Sequence, residues 1–366
     1  MLPPPVTHDA LIVGAGPAGA TLAGLLARQG ARVLLADRAR FPRPKPCGEC
    51  LNPGALAALH RLGLWEAVAP LAPVTLTGWS LQAGGRRCDL DFPPGRFAAA
   101  VDRLRFDHAL VQWAARQGAE VAEGLRVDDL LREGAGRVTG ARAGQLTLPA
   151  AVTVGADGLH SVVTRRLGLR APPPGRGAAK VALTAHWHGV GGLTDRGELH
   201  ALGPAVLGIA KVSAGGEANV VLVVPAAQAR GLTQREFLGR WPRFARARLV
   251  TAALGAGPFD RPVTRVTVPG ALLIGDAAGY FDPFTGQGIY HALRSAELAA
   301  AAILHGAPYE QPHRTEFGPS VRRQRLVDGV VRRPGALAAA VWCLGRCPLA
   351  GRHLLKLLGD CPAENL

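Results

Sequence analysis

The chain has 366 residues, 48% of them hydrophobic and 19% charged, which excludes a disordered or fibrous protein. Its formal net charge of +15 comes from 42 basic and 27 acidic residues, and because only four of the basic residues are lysines, the charge reflects an arginine-rich chain more than a basic tail built for one partner. Aromatic residues make up only 5% of the chain and no concentrated basic stripe is present, so we expect no nucleic-acid partner.

The apolar runs and the cysteine content disfavour a membrane-spanning protein and a secreted, disulfide-rich protein. The longest apolar runs, 297–304 and 335–344, are much shorter than the roughly 18 to 20 residues that cross a bilayer. The first nine residues lack a signal-peptide pattern, and six cysteines in so long a chain do not make a disulfide framework. We therefore expect a cytoplasmic protein with reduced thiols and no transmembrane segment.

The N-terminal part of the chain is predicted to form a βαβ unit. An apolar run at 9–13 indicates a strand, residues 20–29 have helical composition, and a second apolar run at 32–36 ends at Asp37. The sequence Gly14-Ala15-Gly16-Pro17-Ala18-Gly19 joins the first strand to the helix. This complete unit predicts a dinucleotide site more specifically than the glycines alone.

Each residue of the glycine-rich turn has a physical role in such a site. Gly14 permits the tight exit from the strand, Gly16 lets the backbone approach a pyrophosphate, and Gly19 lets the helix pack closely on the sheet. Pro17 suits the first helical turn, and the helix N-terminus offers free N–H groups to phosphates. Asp37 is placed to accept hydrogen bonds from ribose hydroxyls.

The central part of the chain combines helices with many strands. A helix is predicted between residues 101 and 118. Without any further information, Arg103 on such an amphipathic helix would be expected to face solvent. The run 151–156 predicts a strand that leads into Asp157-Gly158. Four more apolar runs predict the strands 181–188, 199–202, 206–212 and 219–224.

The most specific segment follows a predicted strand at 271–274. It reads Gly275-Asp276-Ala277-Ala278-Gly279-Tyr280-Phe281-Asp282-Pro283-Phe284-Thr285-Gly286-Gln287-Gly288-Ile289, and a helix is predicted after it at 290–304. A carboxylate, a glycine-rich loop and a helix N-terminus suit a second polar region of the same ligand. Asp276 would accept hydrogen bonds from hydroxyls, and the amides of 286–289 would face an electron-rich ring edge.

The motifs GAGPAG, GADG and LLIGDAAGYFDPFTGQGI stand in this order at 14–19, 155–158 and 272–289. Together they resemble the FAD-dependent oxidoreductases of the aromatic-hydroxylase and geranylgeranyl-reductase superfamily, over roughly residues 1–170 and 262–306. The resemblance implies that the first motif holds the ADP half of FAD, that Asp276 contacts the ribityl chain, and that the loop through Gly288 lies along the flavin pyrimidine.

The resemblance also implies a set of site residues. Asp157 and Gly158 would lie near the pyrophosphate, an arginine matching Arg103 would reach FAD, and Pro283 would shape the reactive face of the flavin. Cys47 and Pro283 are the expected catalytic-site residues. The expected cofactor contacts are Gly14, Gly16, Pro17, Ala18, Gly19, Asp37, Arg38, Cys47, Gly48, Arg103, Asp157, Gly158, Gly275, Asp276, Pro283, Gly286, Gln287, Gly288 and Ile289.

The implied fold class is α/β, with a Rossmann-like FAD-binding domain, an inserted mixed or antiparallel β-sheet substrate domain and a helical C-terminus. Because the insertion interrupts the cofactor domain, we expect that domain to be discontinuous in sequence. The expected ranges are 1–74, 99–171 and 262–306 for FAD binding, 75–98 and 172–261 for substrate binding, and 307–366 for the helical C-terminal segment.

The segment Lys45-Pro46-Cys47-Gly48-Glu49-Cys50 has three interpretations. The favoured one follows the geranylgeranyl-reductase branch and related oxygenases, where this cysteine lies close to the isoalloxazine. In the second, Cys47 and Cys50 form a redox dithiol, and in the third they are two thiols in a packed loop. No metal site is expected, because a second cysteine pair with zinc spacing is missing.

Two reactions are compatible with such a cofactor site. We favour a monooxygenase that uses NAD(P)H and O2 through a flavin C4a-hydroperoxide on an apolar, aromatic, polyketide-like or isoprenoid molecule, because residues 206–211 replace the Tyr, Trp and Phe-Pro residues of typical geranylgeranyl reductases. The alternative is a prenyl or enoyl reductase, and an alternative of another class is a non-catalytic flavin redox sensor. NAD(P)H would bind transiently, because no second GxGxxG unit appears.

Two other features leave alternatives open. His186, His188 and His291 are candidate proton carriers, although each type of position more often holds a structural histidine. In the C-terminal segment, arginines precede the apolar runs 337–344 and 354–358, a pattern that fits peripheral contact with an anionic membrane or a helix covering the substrate domain. We favour the covering helix.

Overall fold

The computed structural model describes residues 8–134, 136–172, 179–283 and 286–358. Its strands are β1 (His8–Val13), β2 (Val33–Asp37), β3 (Cys50–Leu51), β4 (Val74–Leu76), β5 (Gly78–Ala83), β6 (Arg86–Asp91), β7 (Ala98–Ala100), β8 (Glu120–Glu123), β9 (Asp129–Glu133), β10 (Arg137–Ala143), β11 (Leu146–Gly155), β12 (Lys180–His188), β13 (Arg196–Leu202), β14 (Ala205–Lys211), β15 (Glu217–Pro225), β16 (Arg248–Leu249), β17 (Leu254–Ala256), β18 (Thr267–Val268) and β19 (Ala271–Leu273). Its α-helices are α1 (Pro17–Ala27), α2 (Pro53–Arg61), α3 (Trp65–Val68), α4 (Arg103–Arg116), α5 (Val162–Arg166), α6 (Gln234–Leu238), α7 (Gly288–His305), α8 (Glu310–Val331), α9 (Pro334–Arg346) and α10 (Pro348–Leu358).

The first sheet has a parallel centre in the order β19, β11, β1, β2 and β8. Its inner strands are almost continuously apolar because helices cover both faces, and α1 is buried along its whole length. Phe106 of α4 and Leu293 of α7 are fully buried in the same core. This arrangement places the carboxyl ends of β1, β11 and β19 at one edge, where ligands bind in open α/β sheets.

The second sheet is mixed, in the order β16, β12, β15, β14, β13, β5 and β6, and β17 also pairs with β12. Its pairs are antiparallel except for β13 with β5. Its strands fall in 78–91 and 180–256, within the two ranges expected for substrate binding. A small sheet of β3, β7 and β4 is formed by segments that, in sequence, connect strands of the first sheet with strands of the second.

The C-terminal helices cover one face of the second sheet. Val341 of α9 and Leu355 of α10 are buried in one apolar cluster with Cys88 and Leu90 of β6. This is the covering arrangement that the amphipathic pattern favoured. The predicted α/β fold with its parallel sheet, mixed second sheet and helical C-terminus is confirmed.

Within the described ranges, no helix combines the length and the apolar composition that a bilayer crossing requires.

Candidate functional site

The turn between β1 and α1 is built by close backbone packing. Gly14 has φ +103°, and a Cβ there would lie 2.5 Å from the carbonyl oxygen of Ala156. A Cβ on Gly19 would lie 1.8 Å from the carbonyl oxygen of Gly14, so the helix can approach the strand only with glycine at this position. A Cβ on Gly16 would meet only Arg43 within 4 Å, at 3.7 Å, so Gly16 leaves open space in front of the helix N-terminus.

A cleft runs from this turn across the carboxyl ends of the parallel strands to the second sheet. It consists of two adjoining cavities, of about 780 and 140 Å³, which share Gly16, Lys45 and Asp276. Ala182 and Thr184 of β12 and Val221 of β15 line the opposite wall. The structure brings these expected cofactor residues into its lining: Gly14, Gly16, Pro17, Ala18, Asp37, Arg38, Cys47, Gly48, Arg103, Asp157, Gly158, Gly275, Asp276, Pro283, Gly286, Gly288 and Ile289.

Asp37 is buried at the end of β2, where its carboxylate orders the nearby backbone. Its Oδ2 accepts a hydrogen bond from the N–H of Ala15 at 2.7 Å, and its Oδ1 accepts one from the N–H of Ala39 at 2.8 Å. Each carboxylate oxygen has a second acceptor position. Asp37 therefore fixes the turn and faces the cavity with capacity for ribose hydroxyls.

Asp276 provides the test of whether the cleft fits FAD. It lies in a short 3-10 turn after β19, and among the described residues no donor reaches its carboxylate. Burial raises the pKa of Asp276, while the charges of Lys45 and Arg103 act in the opposite direction. A half-buried carboxylate that lines the cleft and has no donor suits a ligand that brings its own hydroxyl groups, so the polyhydroxyl ribityl chain of FAD fits this position.

Arg103 lies buried at the start of α4, which excludes the solvated position considered from its sequence. Its Nε and Nη2 atoms donate to the two oxygens of Asp107 at 2.7 and 3.0 Å. Arg43 lies 3.3 Å from the same carboxylate. Because Asp107 holds the guanidinium in one orientation, Arg103 is a fixed positive charge in the cleft wall.

Cys47 and Cys50 both line the cleft with Arg103, but Cys47 is half-buried whereas Cys50, in β3, is buried. The Sγ of Cys47 accepts a hydrogen bond from the N–H of Glu49 at 3.3 Å, and it also interacts with the guanidinium of Arg103. Both cysteines are free thiols, and burial raises the pKa of Cys50 to about 12. A thiol with so high a pKa forms little thiolate, which is the form that attacks a disulfide.

Three of the expected cofactor residues, Asp157, Gln287 and Gly19, also make contacts within the protein, and for Gly19 this is the close helix packing that the sequence predicted. Asp157 lines the cleft, but its carboxylate accepts hydrogen bonds from the hydroxyl of Ser161 at 2.5 Å and the N–H of Val162 at 2.6 Å, so it caps α5. Gln287 directs its Oε1 to α8, and any cofactor contact would use its backbone. Gly19 packs behind the turn and does not line the cleft.

The loop between Pro283 and Gly286 contains Phe284 and Thr285, which lie outside the described residues.

Sequence reasoning missed Glu49 and Asn219. Glu49 lines the cleft and is paired with His186, which was only one of three candidate histidines. Asn219 donates to the carbonyl oxygen of Cys47 at 2.7 Å. The Cys-Gly-Glu-Cys segment drew attention for its thiols, and no local pattern connects its glutamate to strands far along the chain.

Comparison with known proteins identifies the family. The profile of the family described as FAD binding domain matches residues 7–228, and the chain belongs to this family. Menaquinone reductase of Mycobacterium tuberculosis (strain ATCC 25618 / H37Rv) is 32% identical over 319 residues, which cover 81% of this chain and 76% of that protein. Digeranylgeranylglycerophospholipid reductase of Methanothrix thermoacetophila is 30% identical over 347 residues, 86% of this chain and 85% of that protein.

A solved structure agrees with these relatives. The myxobacterial chondrochloren halogenase, described as FAD-dependent, matches with a TM-score of 0.77 and 27% identity, over 88% of this chain and 80% of that chain. The expected superfamily is therefore confirmed, and the protein is an FAD-dependent oxidoreductase.

Proposed function

We propose that this protein reduces carbon–carbon double bonds in an apolar, isoprenoid-like molecule. The relatives that support this choice are named as reductases, one of menaquinone and one of digeranylgeranylglycerophospholipid. When bound, FAD takes up a hydride from an electron donor and passes it to the substrate. Of the two reactions considered from the sequence, the reductase is the one that these relatives favour.

An apolar cavity carries the proposal for the substrate class. It has a volume of about 570 Å³ and lies between the second sheet and the C-terminal helices. Asn52, Gln82 and His353 are among its few polar lining residues, so it would accept a chain with little hydrogen-bonding capacity. Its apolar lining comprises Trp79, Leu81, Leu90, Phe92, Leu199, Ala201, Leu326, Val327, Val330, Val331, Leu337, Ala340, Val341, Leu344, Ala350, Leu354 and Leu355.

The chain's own residues would bind FAD in the cleft. The N-terminus of α1 and Asp37 suit its ADP half, and Asp276 suits the ribityl hydroxyls. Cys47 and Pro283 line the part of the cleft that Val221 of the second sheet closes. We further propose that NADH or NADPH is the electron donor.

A monooxygenase is the second candidate, favoured by one observation. The segment 206–211, which lacks the aromatic and proline residues typical of geranylgeranyl reductases, lies in β14, in the interior of the second sheet. A substrate sheet without these residues fits a different apolar substrate, such as an aromatic molecule, with oxygen as the second substrate.

Product mass distinguishes the two reactions. The FAD-loaded protein is mixed with NADH or NADPH and a geranylgeranyl lipid, once without oxygen and once in air. Bleaching of the flavin followed by an anaerobic product that has gained two hydrogens supports the reductase. A product that has gained an oxygen atom, formed only in air, overturns it in favour of the monooxygenase, and no bleaching by either nucleotide overturns the proposed donor.

The apolar cavity has its own test on α9. Ala340 lines the cavity, whereas the neighbouring Ala339 is exposed and does not. Ala340→Trp should raise the KM for a long-chain substrate about tenfold or more, since it fills space that the chain would occupy. Ala339→Trp is the matched control, and equal kinetics in both variants would place the substrate elsewhere.

Peripheral membrane contact is a subsidiary proposal for the C-terminal helices. Leu326 is 73% exposed and Leu349 is 75% exposed, and both belong to helices that enclose the apolar cavity. Arg346 lies over the half-exposed ring of Trp342 at 4.0 Å. Exposed apolar side chains beside arginines fit an anionic lipid surface, from which an apolar substrate would enter.

A further inference from the structure

The loop that carries Cys47 is held by two neighbouring strands of the second sheet. His186 of β12 and Asn219 of β15 are paired across the antiparallel ladder. Asn219 donates its Nδ2–H to the carbonyl oxygen of Cys47 at 2.7 Å, and the Nε2 atom of His186 lies 2.8 Å from Oε2 of Glu49. The second sheet therefore fixes the loop at two points, one on each side of Gly48.

Glu49 has an unusual backbone and a fixed side chain. Its φ of +57° lies in the left-handed region, which a residue with a Cβ seldom adopts. Its side chain is only 5% exposed, its Oε1 accepts a hydrogen bond from the N–H of Arg103 at 3.1 Å, and the residue lines the cleft. The strained backbone is maintained while both carboxylate oxygens are hydrogen-bonded, so the position of this carboxylate is specified by the fold.

The charges around His186 favour its protonated form. Burial by itself lowers the pKa of His186, but the hydrogen bond and charge of Glu49 outweigh it and raise the pKa, with smaller contributions from Asp102 and Glu217. One carboxylate oxygen of Glu49, one of Asp102 and one ring nitrogen of His186 all lie within 4.8 Å of one another. The side chain of His186 is 13% exposed, so it retains access to solvent while its Nε2 faces Glu49.

The buried amide of Asn219 adds an independent observation at the same place. The residue is 1% exposed, and its Oδ1 has no hydrogen-bond partner among the described residues. An unpaired buried acceptor is costly and calls for a partner such as water or a ligand. A polar group or a water molecule brought into this region would therefore find an acceptor beside the Glu49 and His186 pair.

We propose that the pair of Glu49 and His186 supplies a proton to the substrate in the cleft: the His186 imidazolium holds the proton, and the Glu49 carboxylate passes it on. This inference rests on the proposed reductase function. The C=C π bond would break, one carbon would gain the hydride that NAD(P)H supplies when FAD is bound, and the other carbon would gain the proton that leaves Nε2 of His186 by way of Glu49. Solvent would then restore the proton on His186, so charge and electrons balance.

The first test requires no substrate. Histidine side chains are labelled with ¹⁵N, and the His186 resonance, assigned by its loss in His186→Gln, is titrated in wild type and in Glu49→Gln. We expect Glu49→Gln to lower the pKa of His186 by about one unit or more, because it removes the neighbouring negative charge and keeps a hydrogen-bonding side chain. An unchanged His186 titration would overturn the coupling.

The second test measures the two half-reactions separately in the FAD-loaded protein. Glu49→Gln should slow anaerobic alkene reduction about 100-fold and leave the rate of flavin bleaching by the nucleotide unchanged. Wild-type alkene reduction should fall as pH rises through the raised pKa of His186, because only its protonated form resupplies the proton. His186→Gln should be slower and lose this dependence, whereas His188→Gln, two residues along the same strand, should keep both the rate and the profile.

The outcomes separate this inference from the function on which it rests. If the wild type reduces alkenes and Glu49→Gln does so at the same rate, the proton-donor role is wrong and the reductase function stands. If the wild type forms only oxygenated products, the reductase function is wrong and proton delivery to carbon fails with it. A slow Glu49→Gln variant that has also lost flavin or bleaching would overturn the specific role and indicate a structural one.

Discussion

Replacing Asp276 by alanine should move FAD affinity and apoprotein stability in opposite directions. In the apoprotein no described donor reaches the carboxylate, and burial raises its pKa despite Lys45 and Arg103. Asp276 is half-buried and its pKa is raised, so its ionised form destabilises the apoprotein, and we expect Asp276→Ala to raise the free energy of unfolding slightly, by about 1 kcal/mol or less. With FAD bound, the variant loses charge-assisted hydrogen bonds of about 1.5–3 kcal/mol, which weakens affinity about 10- to 100-fold.

Two measurements on one preparation test the expected loss of FAD affinity and the expected gain of apoprotein stability. Fluorescence titration of FAD into the apoprotein gives the affinity, and urea unfolding of the apoprotein gives its stability. Asp195→Ala, which removes an exposed carboxylate outside the cleft lining, is the control and should change neither quantity much. Unchanged FAD affinity in Asp276→Ala would refute the assignment of this carboxylate to the ribityl chain.

The same residue predicts a pH dependence. A carboxylate accepts hydrogen bonds from hydroxyl groups well only when it is ionised, and the pKa of Asp276 is raised in the apoprotein. FAD affinity should therefore be full above that raised pKa and fall as pH decreases through it. In Asp276→Ala this part of the pH profile should be flat, and an identical profile in both proteins would assign the titration to another group.

The remaining predictions concern the cleft loop, an ion cluster and the C-terminal helices. Cys47→Ala should retain FAD, since the cleft has many other contacts, but alter turnover; loss of the flavin would contradict this. Lys180 pairs with Asp282 at 2.8 Å and with Asp328, which Arg332 also contacts, so Lys180→Met removes a partly buried shared cation and should cost about 2 kcal/mol in urea unfolding. A change below about 0.5 kcal/mol would show the cluster to be dispensable. Leu349→Asp should reduce co-sedimentation with phosphatidylglycerol vesicles about tenfold, and equal binding by wild type and variant would contradict a membrane role for α10.

Local patterns predicted the cofactor half of the molecule well. The βαβ unit, the strand before Asp157 and the segment after β19 were placed within a few residues, because apolar runs, glycines and a helix start are contiguous in sequence. Four strands of the second sheet, β12 to β15, were also found, since each buries an apolar run. Such features depend on neighbours along the chain, which a single sequence displays directly.

Side-chain partners could not be predicted in the same way. Glu49 and His186 are separated by 137 positions, and their contact depends on the tertiary packing of the second sheet against the cleft. Gln287 looked like a cofactor residue because it lies in the glycine-rich segment, yet its amide side chain binds residues of α8. Asp157 follows a strand, as a ligand-binding carboxylate would, but its oxygens accept hydrogen bonds from Ser161 and Val162 at the start of α5.

The distribution of the cleft along the chain has a consequence for how the protein is made. Its walls come from residues near the N-terminus, from β12 and β15, and from the segment 275–289. A ribosome synthesising this chain must therefore release the segment through Ile289 before a nascent molecule has all of these walls. A truncated translation product that stops before Gly275 would contain the βαβ unit but lack Asp276 and the last wall, so we expect it to retain flavin poorly.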